Sequence, residues 1–364
     1  GTVSLSQGGS AEPIVEAPGY VARLRNSQIV SFRAAASGQE LLAGPALEHC
    51  FFRAPTDNDR CGFDCFVPKL LEVPGLRGVL RRLGLLSNVA TWRMCGLDSL
   101  DSVLKASEWG TSAEGVPMLK ATEHIMSSGR KCFKVESRYS FGLDRISVDL
   151  SVESYEHVRG LLTLPRVGLK LLAAPRLSRL AWLGCGPGES YPDRKSASDW
   201  AVHCGDVDDQ HVDYMVPSEC GGKADVHGAA LTDPDANEGI LMEYACLQAA
   251  PPEERPEDQP STNRPSGTRG AQLSASRWTM QELDAHRHIY ELRSFLSPAA
   301  LKERPVQVHL DTAHAGVGAA GQGGDKLWAT AKQFMVNPKE SWQYTVHLRP
   351  ISGAMWAHSG NGSV

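Results

Sequence analysis

The period of the hydrophobic residues constrains this chain most. Between turn residues, apolar positions recur every second residue over short runs, the pattern of strands with one buried face and not of a helical stripe. In ISVDLSVES (146–154), Ile146, Val148, Leu150 and Val152 fall on one side. KCFKVESRYSF (131–141) alternates in the same way, and Gly142-Leu143-Asp144 between the two predicts a hairpin. VQVHLDTAHAG (306–316) repeats the pattern with Val306, Val308 and Leu310, and WQYTVHL (342–348) with Trp342, Tyr344, Val346 and Leu348. Helical signal is sparse. FVPKLLEVPGLRGVLRRLGLL (66–86) is the best candidate, and its prolines and glycines restrict it to one or two short pieces.

A chain of 364 residues with 41% hydrophobic and 22% charged residues can bury a large core. One stretch breaks the pattern: residues 248–276 hold many charges, five prolines before residue 266 and almost no large apolar group, which predicts a disordered insertion loop. The expected fold is therefore all-β, one large antiparallel domain over residues 1–364, in one or two packed sheets, with that insertion. A net charge of -5 without a dense basic block offers no footprint for nucleic acid. The apolar run 161–174 is interrupted by Pro165, Arg166 and Lys170 and falls short of the roughly 20 residues of a membrane-spanning helix. Nine cysteines without CxxC spacing predict unpaired thiols in a reducing compartment. No secretory signal is visible, so a cytoplasmic location is expected, and the missing initiator Met suits a fragment of a longer chain.

Three clusters invite a chemical reading. RAPTDNDR (53–60) places Asp57 and Asp59 ahead of Gly62 like the start of a calcium loop, but that loop needs an oxygen ligand at Cys61 and a glutamate at Pro68. The stretch reads instead as a turn in which Pro55, Asp57, Asn58 and Asp59 organise the backbone while Arg53 and Arg60 pair with carboxylates. In GPGESYPDR (186–194), Glu189 and Asp193 could be imagined as the carboxylate pair of a retaining glycosidase, which stands about 5–5.5 Å apart. Four extended residues span roughly 13 Å, and Pro192 forbids the helix that would stack them. Tyr191, Asp193 and Arg194 then read as a loop anchor. His286 and His288 are expected on one strand face, and His314 follows Asp311 where the chain leaves a strand; no third ligand is suitably spaced, so structural histidines and no metal are expected.

Read in order, LLAGPALEHCFFRAPTDNDRCG (41–62), LPRVGLKL with LAWLGCGPGESYPDRKSASDW (164–200), HRHIYEL (286–292) and HLDTAHAGVG with GGDKLW (309–328) resemble one family along nearly the whole chain. They are similar to the C-terminal domain of the β-galactosidases of glycoside hydrolase family 2, which also occurs as a separate small chain. The resemblance implies a galactose-mutarotase-like supersandwich that covers part of an active-site mouth. It implies that the catalytic glutamates sit on a preceding TIM barrel, absent here, so that no residue of this chain is catalytic. Mg and Na are expected only in that barrel, with no cofactor bound by this chain. The implied partners are a β-galactoside such as lactose, or galactose, and the barrel domain or large subunit within an oligomer. Trp328 matches the family's tryptophan platform for the sugar, although the loop before it is longer here and carries Lys326 and Leu327. Arg53, Asp57, Asn58, Asp59, Glu189, Tyr191, Asp193, Arg194 and His314 become structural or interdomain contacts. Two alternatives remain: an aldose epimerase using His211, His314 and Glu189 as acid and base, or a carbohydrate-binding module without catalysis.

Overall fold

The structure, a computed structural model, describes residues 2–7, 12–62, 73, 75–82, 85–246, 269–318 and 331–352. A four-stranded meander opens the chain: β1 (Ser4–Gln7), β2 (Pro13–Glu16), β3 (Tyr20–Arg25) and β4 (Gln28–Ala34). There follow β5 (Glu48–Cys50), β6 (Asp101–Thr111), β7 (Pro117–Ser127), β8 (Arg130–Phe141), β9 (Ile146–Ser154), β10 (Arg166–Ala173), β11 (Arg179–Gly186) and β12 (Asp199–Asp206). The last six are β13 (Lys223–Val226), β14 (Gly228–Thr232), β15 (Glu238–Cys246), β16 (Ala271–Ser276), β17 (Val306–His314) and β18 (Ser341–Ser352). They build a five-stranded sheet in the order β13-β16-β17-β10-β5 and a nine-stranded sheet in the order β12-β11-β14-β15-β18-β9-β8-β7-β6. Neighbouring strands run antiparallel throughout.

The hairpin expected at 142–144 is present. Phe141 pairs with Ile146, and Gly142 N–H donates to Arg145 O at 2.9 Å. Along β9 the buried positions alternate as the sequence requires, and β18 lies beside it with Trp342 opposite Val152 and Leu348 opposite Ile146. One continuous apolar core joins all three sheets, with Phe32, Phe133, Val148, Leu171, Leu273, Val308 and Tyr344 among its members. Phe51, just past β5, stacks on Phe133 of β8 with ring centroids 3.8 Å apart. Trp92 lies fully buried, and its indole N–H reaches Thr163 O at 2.8 Å, which removes the cost of an unpaired donor.

Three expectations are corrected. Of the loop predicted over 248–276, residues 248–268 lie outside the described residues, but Ala271–Ser276 is a strand between β13 and β17. AQLSAS has little strand propensity of its own; its identity comes from pairing, Gln272 with Asp311 and Ser276 with Gln307. In β17 all nine residues are buried, because loops cover the face that period-2 reasoning leaves to solvent. His286 and His288 do not share a strand. They lie between two short helices, Met280–Ala285 and Ile289–Phe295, where His286 caps the first and His288 begins the second. Thr279 and Glu282 close a capping box on the first helix, and Ala54, Trp278, Leu283 and Leu292 form a small separate core beneath the pair. Of the helix expected within 66–86, Leu76–Arg82 is formed and 66–72 lies outside the described residues. Among the described residues no helix is long and apolar enough to cross a membrane.

Because the Phe51–Phe133 stack joins two sheets, Phe133→Ala should lower the unfolding free energy by about 3–5 kcal/mol through lost burial and the cavity left behind. Urea titration checks this, with an unchanged slope expected.

Candidate functional site

The chain leaves β5 through two buried phenylalanines and then buries an arginine completely. Arg53 donates to Asp59 through Nη2 at 2.8 Å and Nε at 3.1 Å, and to the carbonyls of Ala315 at 2.6 Å and Gly316 at 3.0 Å. Its guanidinium also lies 5.7 Å from the centre of the Trp92 ring. Asp59 accepts in addition from Thr56 N–H at 3.0 Å and the Thr56 hydroxyl at 3.1 Å, and Asn58 Nδ2 donates to Val317 O at 2.7 Å. The turn is thereby fastened to the chain that leaves β17. Asp57 is exposed, and its backbone carbonyl accepts from Arg60 N–H at 3.2 Å. Arg60 pairs with Asp284 of the helical excursion at 3.1 Å.

A second buried arginine lies next to the first. Arg166 of β10 meets Glu219 at 2.6 Å and Asp311 at 3.5 Å, and His314 stands between the guanidiniums, 3.3 Å from Arg53 Nη1 and 3.4 Å from Arg166 Nη2. Burial, with Arg53 and Arg166 beside it, holds the His314 imidazole neutral, its pKa well below the usual value. Asp311 is pushed up to about 7, first by burial and then by Glu219, against the pull of Arg166 and Arg53. Gly168 is required here: a Cβ on it would lie 2.1 Å from Asp311 Oδ1 and 2.6 Å from Asp311 Cα.

The loop after β11 supplies the third part. Glu189 accepts from the Tyr214 hydroxyl and from Gly221 N–H at 2.8 Å, and pairs with Arg194. Asp193 accepts from Val317 N–H at 3.0 Å and Gly318 N–H at 2.7 Å. Tyr191 is buried, and its hydroxyl accepts from Gly222 N–H at 3.2 Å. Glu189 and Asp193 are thus turned to different partners, and neither is presented as half of a glycosidase pair. His211 contacts the Cys220 thiol at 3.3 Å and does not join His314 or Glu189; burial brings its pKa down to about 4 and pushes the thiol up to about 12.

Arg53, Asn58, Asp59, Tyr191, Asp193 and His314, from three distant segments, therefore meet on the outer face of the five-stranded sheet, and Glu189 and Arg194 hold the rim. A cleft of about 190 Å³ opens beside them, lined by Pro192, Gln272, Asp311, Thr312, His314 and Phe334 among others. Trp328 lies outside the described residues. Sequence reasoning did not place Arg166, Glu219 or Asp311 in the cluster. The available signal was a charge set inside an apolar strand, as in LPRVGLKL and VHLDTAH. Among the described residues, no group of three or more His, Cys, Asp or Glu side chains could hold a metal ion.

Two outcomes follow for this cluster. Arg53→Ala should cost about 3–5 kcal/mol, because it leaves Asp59 buried without its counter-charge, and the double variant Arg53→Ala/Asp59→Ala should recover part of that loss in equilibrium unfolding. The second concerns pH. The folded pKa of Asp311, about 7, lies above the unfolded value. Its contribution is present in full below the unfolded pKa and is lost as pH rises through about 7. Wild type should therefore lose stability relative to Asp311→Asn between pH ~5 and ~8, since the amide mimics the protonated acid. Unfolding both chains at the two pH values measures the difference, and buried histidines common to both cancel.

The family described as β-galactosidase small chain matches residues 20–348. β-Galactosidase of Psychromonas ingrahamii is 24% identical over 316 residues, which is 85% of this chain and 24% of the relative. That of Vibrio cholerae is 28% identical over 320 residues, 87% of this chain and 25% of the relative. The chain thus spans about a quarter of the length of these relatives. A putative aldose 1-epimerase from Escherichia coli K12 aligns with 97% of this chain and 99% of its own at 9% identity and a TM-score of 0.37. A galactose mutarotase related enzyme of Lactobacillus acidophilus aligns at 8% identity and a TM-score of 0.36.

Proposed function

Because this chain belongs to the β-galactosidase small-chain family, we propose that it is the non-catalytic β-sandwich part of a β-galactosidase and shapes the sugar-binding mouth for retaining hydrolysis of terminal β-galactosides such as lactose. The acid/base and nucleophilic glutamates come from a barrel outside this chain, and Mg and Na belong to that barrel. The observation that carries the reading is the commitment of four of the five carboxylates in the cluster, Asp311 being the one that borders the cleft. Asp59 is taken by Arg53, Glu189 by Tyr214 and Gly221, Asp193 by two backbone amides and Glu219 by Arg166. A glycosidase needs a carboxylic acid and a carboxylate facing one sugar, and these groups instead hold three loops in fixed relation. Trp328, ten residues past Gly318, is the platform in this reading, its ring meeting the C–H face of the galactoside. Unbridged thiols such as Cys50, Cys132 and Cys204 suit a reducing compartment, the cytoplasm.

The chain alone should hydrolyse no chromogenic β-galactoside and should not accelerate the interconversion of galactose anomers. Turnover of the galactoside by the chain alone would overturn the assignment of catalysis elsewhere, and anomer interconversion would instead establish the aldose-epimerase alternative. In the complete enzyme, Trp328→Ala should raise KM for lactose with little change in the melting temperature. Unchanged kinetics with a lower melting temperature would make Trp328 a core residue instead.

A further inference from the structure

The helical excursion between β16 and β17, with the loop before β13 beside it, carries the most exposed large apolar side chains of the described residues. Met215 is 78% exposed, Tyr290 65% and Phe295 54%. The last two rings are held in place: His288 stacks on Tyr290 with centroids 5.3 Å apart, and His286 meets Phe295 edge-on at 5.3 Å. Ile289 N–H donates to Met215 O at 3.0 Å and joins the loop to the helix. A pocket of about 280 Å³ opens on the same excursion, walled by Trp278, Leu292, Leu296 and Leu301, with His211 at its side. His211 Nε2 lies 3.6 Å from Asp213 Oδ1, and Asp208, Asp213 and Arg293 also line the pocket. By contrast, the outer face of β7 to β9 presents Lys120, Glu136, Arg138 and Asp149, side chains suited to water.

We propose that this face, formed by residues 211–215 and 286–301, is where the large catalytic chain docks, with one of that chain's aromatic or aliphatic side chains entering the pocket. The proposal rests on the functional reading above. Its occupant follows from length: relatives run to about four times the aligned segment, so most of the protein must meet this domain on some face. Two further observations select this one. Tyr290 and Phe295 lie on the same short helix as Leu292, which lines the pocket, and several exposed apolar groups on one element are the usual anchors of an interface, whereas single exposed side chains are not. The patch is also continuous with the buried cluster, since Tyr214, next to Met215, holds Glu189, and Asp284 of the first helix holds Arg60.

Hydroxyl-radical footprinting tests the proposal without mutation, comparing this chain alone with the complete enzyme in which it is assembled. Met215 and Tyr290 should oxidise at least about fivefold more slowly in the complete enzyme, as expected for the core of an interface, while Leu143 at the β8–β9 turn keeps its rate. Equal rates in an active enzyme would overturn the docking face and leave the functional reading intact. Protection in a complete protein that lacks galactosidase activity would uphold the face and overturn the functional reading. Protection that grows with the concentration of this chain alone would assign the face to a second copy and overturn the proposal. As an independent arm, Met215→Glu/Tyr290→Glu alters only exposed positions and should weaken assembly about tenfold or more; undiminished assembly counts against the face.

Discussion

A guanidinium sealed from water organises the polar side of this molecule. Burying the charge of Arg53 is costly, and the cost is offset only by a carboxylate and two carbonyls in correct geometry. The carboxylate comes from six residues away, and the carbonyls of Ala315 and Gly316 come from 262 and 263 residues away. The turn at 53–60 therefore cannot reach its final form until β17 lies in the five-stranded sheet. Once it has, the turn, the end of β17 and the loop anchored by Asp193 become one rigid unit.

The second arginine explains why this unit carries an odd proton. Arg53 and Arg166 face three buried carboxylates, Asp59, Glu219 and Asp311, with His314 neutral between the guanidiniums. One carboxylate is left in excess, and it is Asp311, without a bidentate partner such as Asp59 has in Arg53, whose pKa rises. Low-dielectric surroundings make full ionisation of all three unfavourable, so protonation balances the charge more cheaply than a rearrangement of packed strands would. Such a cluster is suited to holding loops still. Most of its members are committed to one another, while Asp311 and His314 border the cleft.

Rigid support fits the proposed reading, in which the domain contributes shape to a site instead of chemistry. The nine-stranded sheet and the meander bury one core against the five-stranded sheet, and the loops bearing the family's motifs emerge on the far face of that smaller sheet. The helical excursion grows from the same face, tied to the motif turn through Asp284 and standing on its own small core. Motif loops and apolar patch thus share one side of the molecule, the arrangement expected where a domain must both attach to a larger body and present groups at its mouth.

Much of the strand content was legible in the sequence. Alternation in 131–141, 146–154 and 342–348 depends only on which side chains prefer burial, a local property, and the Gly-Leu-Asp turn set the hairpin without outside help. Arg53 with a carboxylate partner was legible for the same reason, since the partner lies within one turn. Other features depended on contacts between distant segments. AQLSAS becomes a strand because β13 and β17 leave a place for it, and β17 is buried on both faces because three loops close over it. His286 and His288 became helix caps because the Glu282 carbonyl and the Glu291 carboxylate supply partners beside them. Arg166, Glu219 and Asp311 were brought together by strand order and a closing loop. The sequence by itself determined the period of its strands and the chemistry of its turns, which act over a few residues. Tertiary structure alone decided which charges share a low-dielectric interior, because that depends on pairings across 53 to more than 250 residues, and the energy of a charge depends on its surroundings.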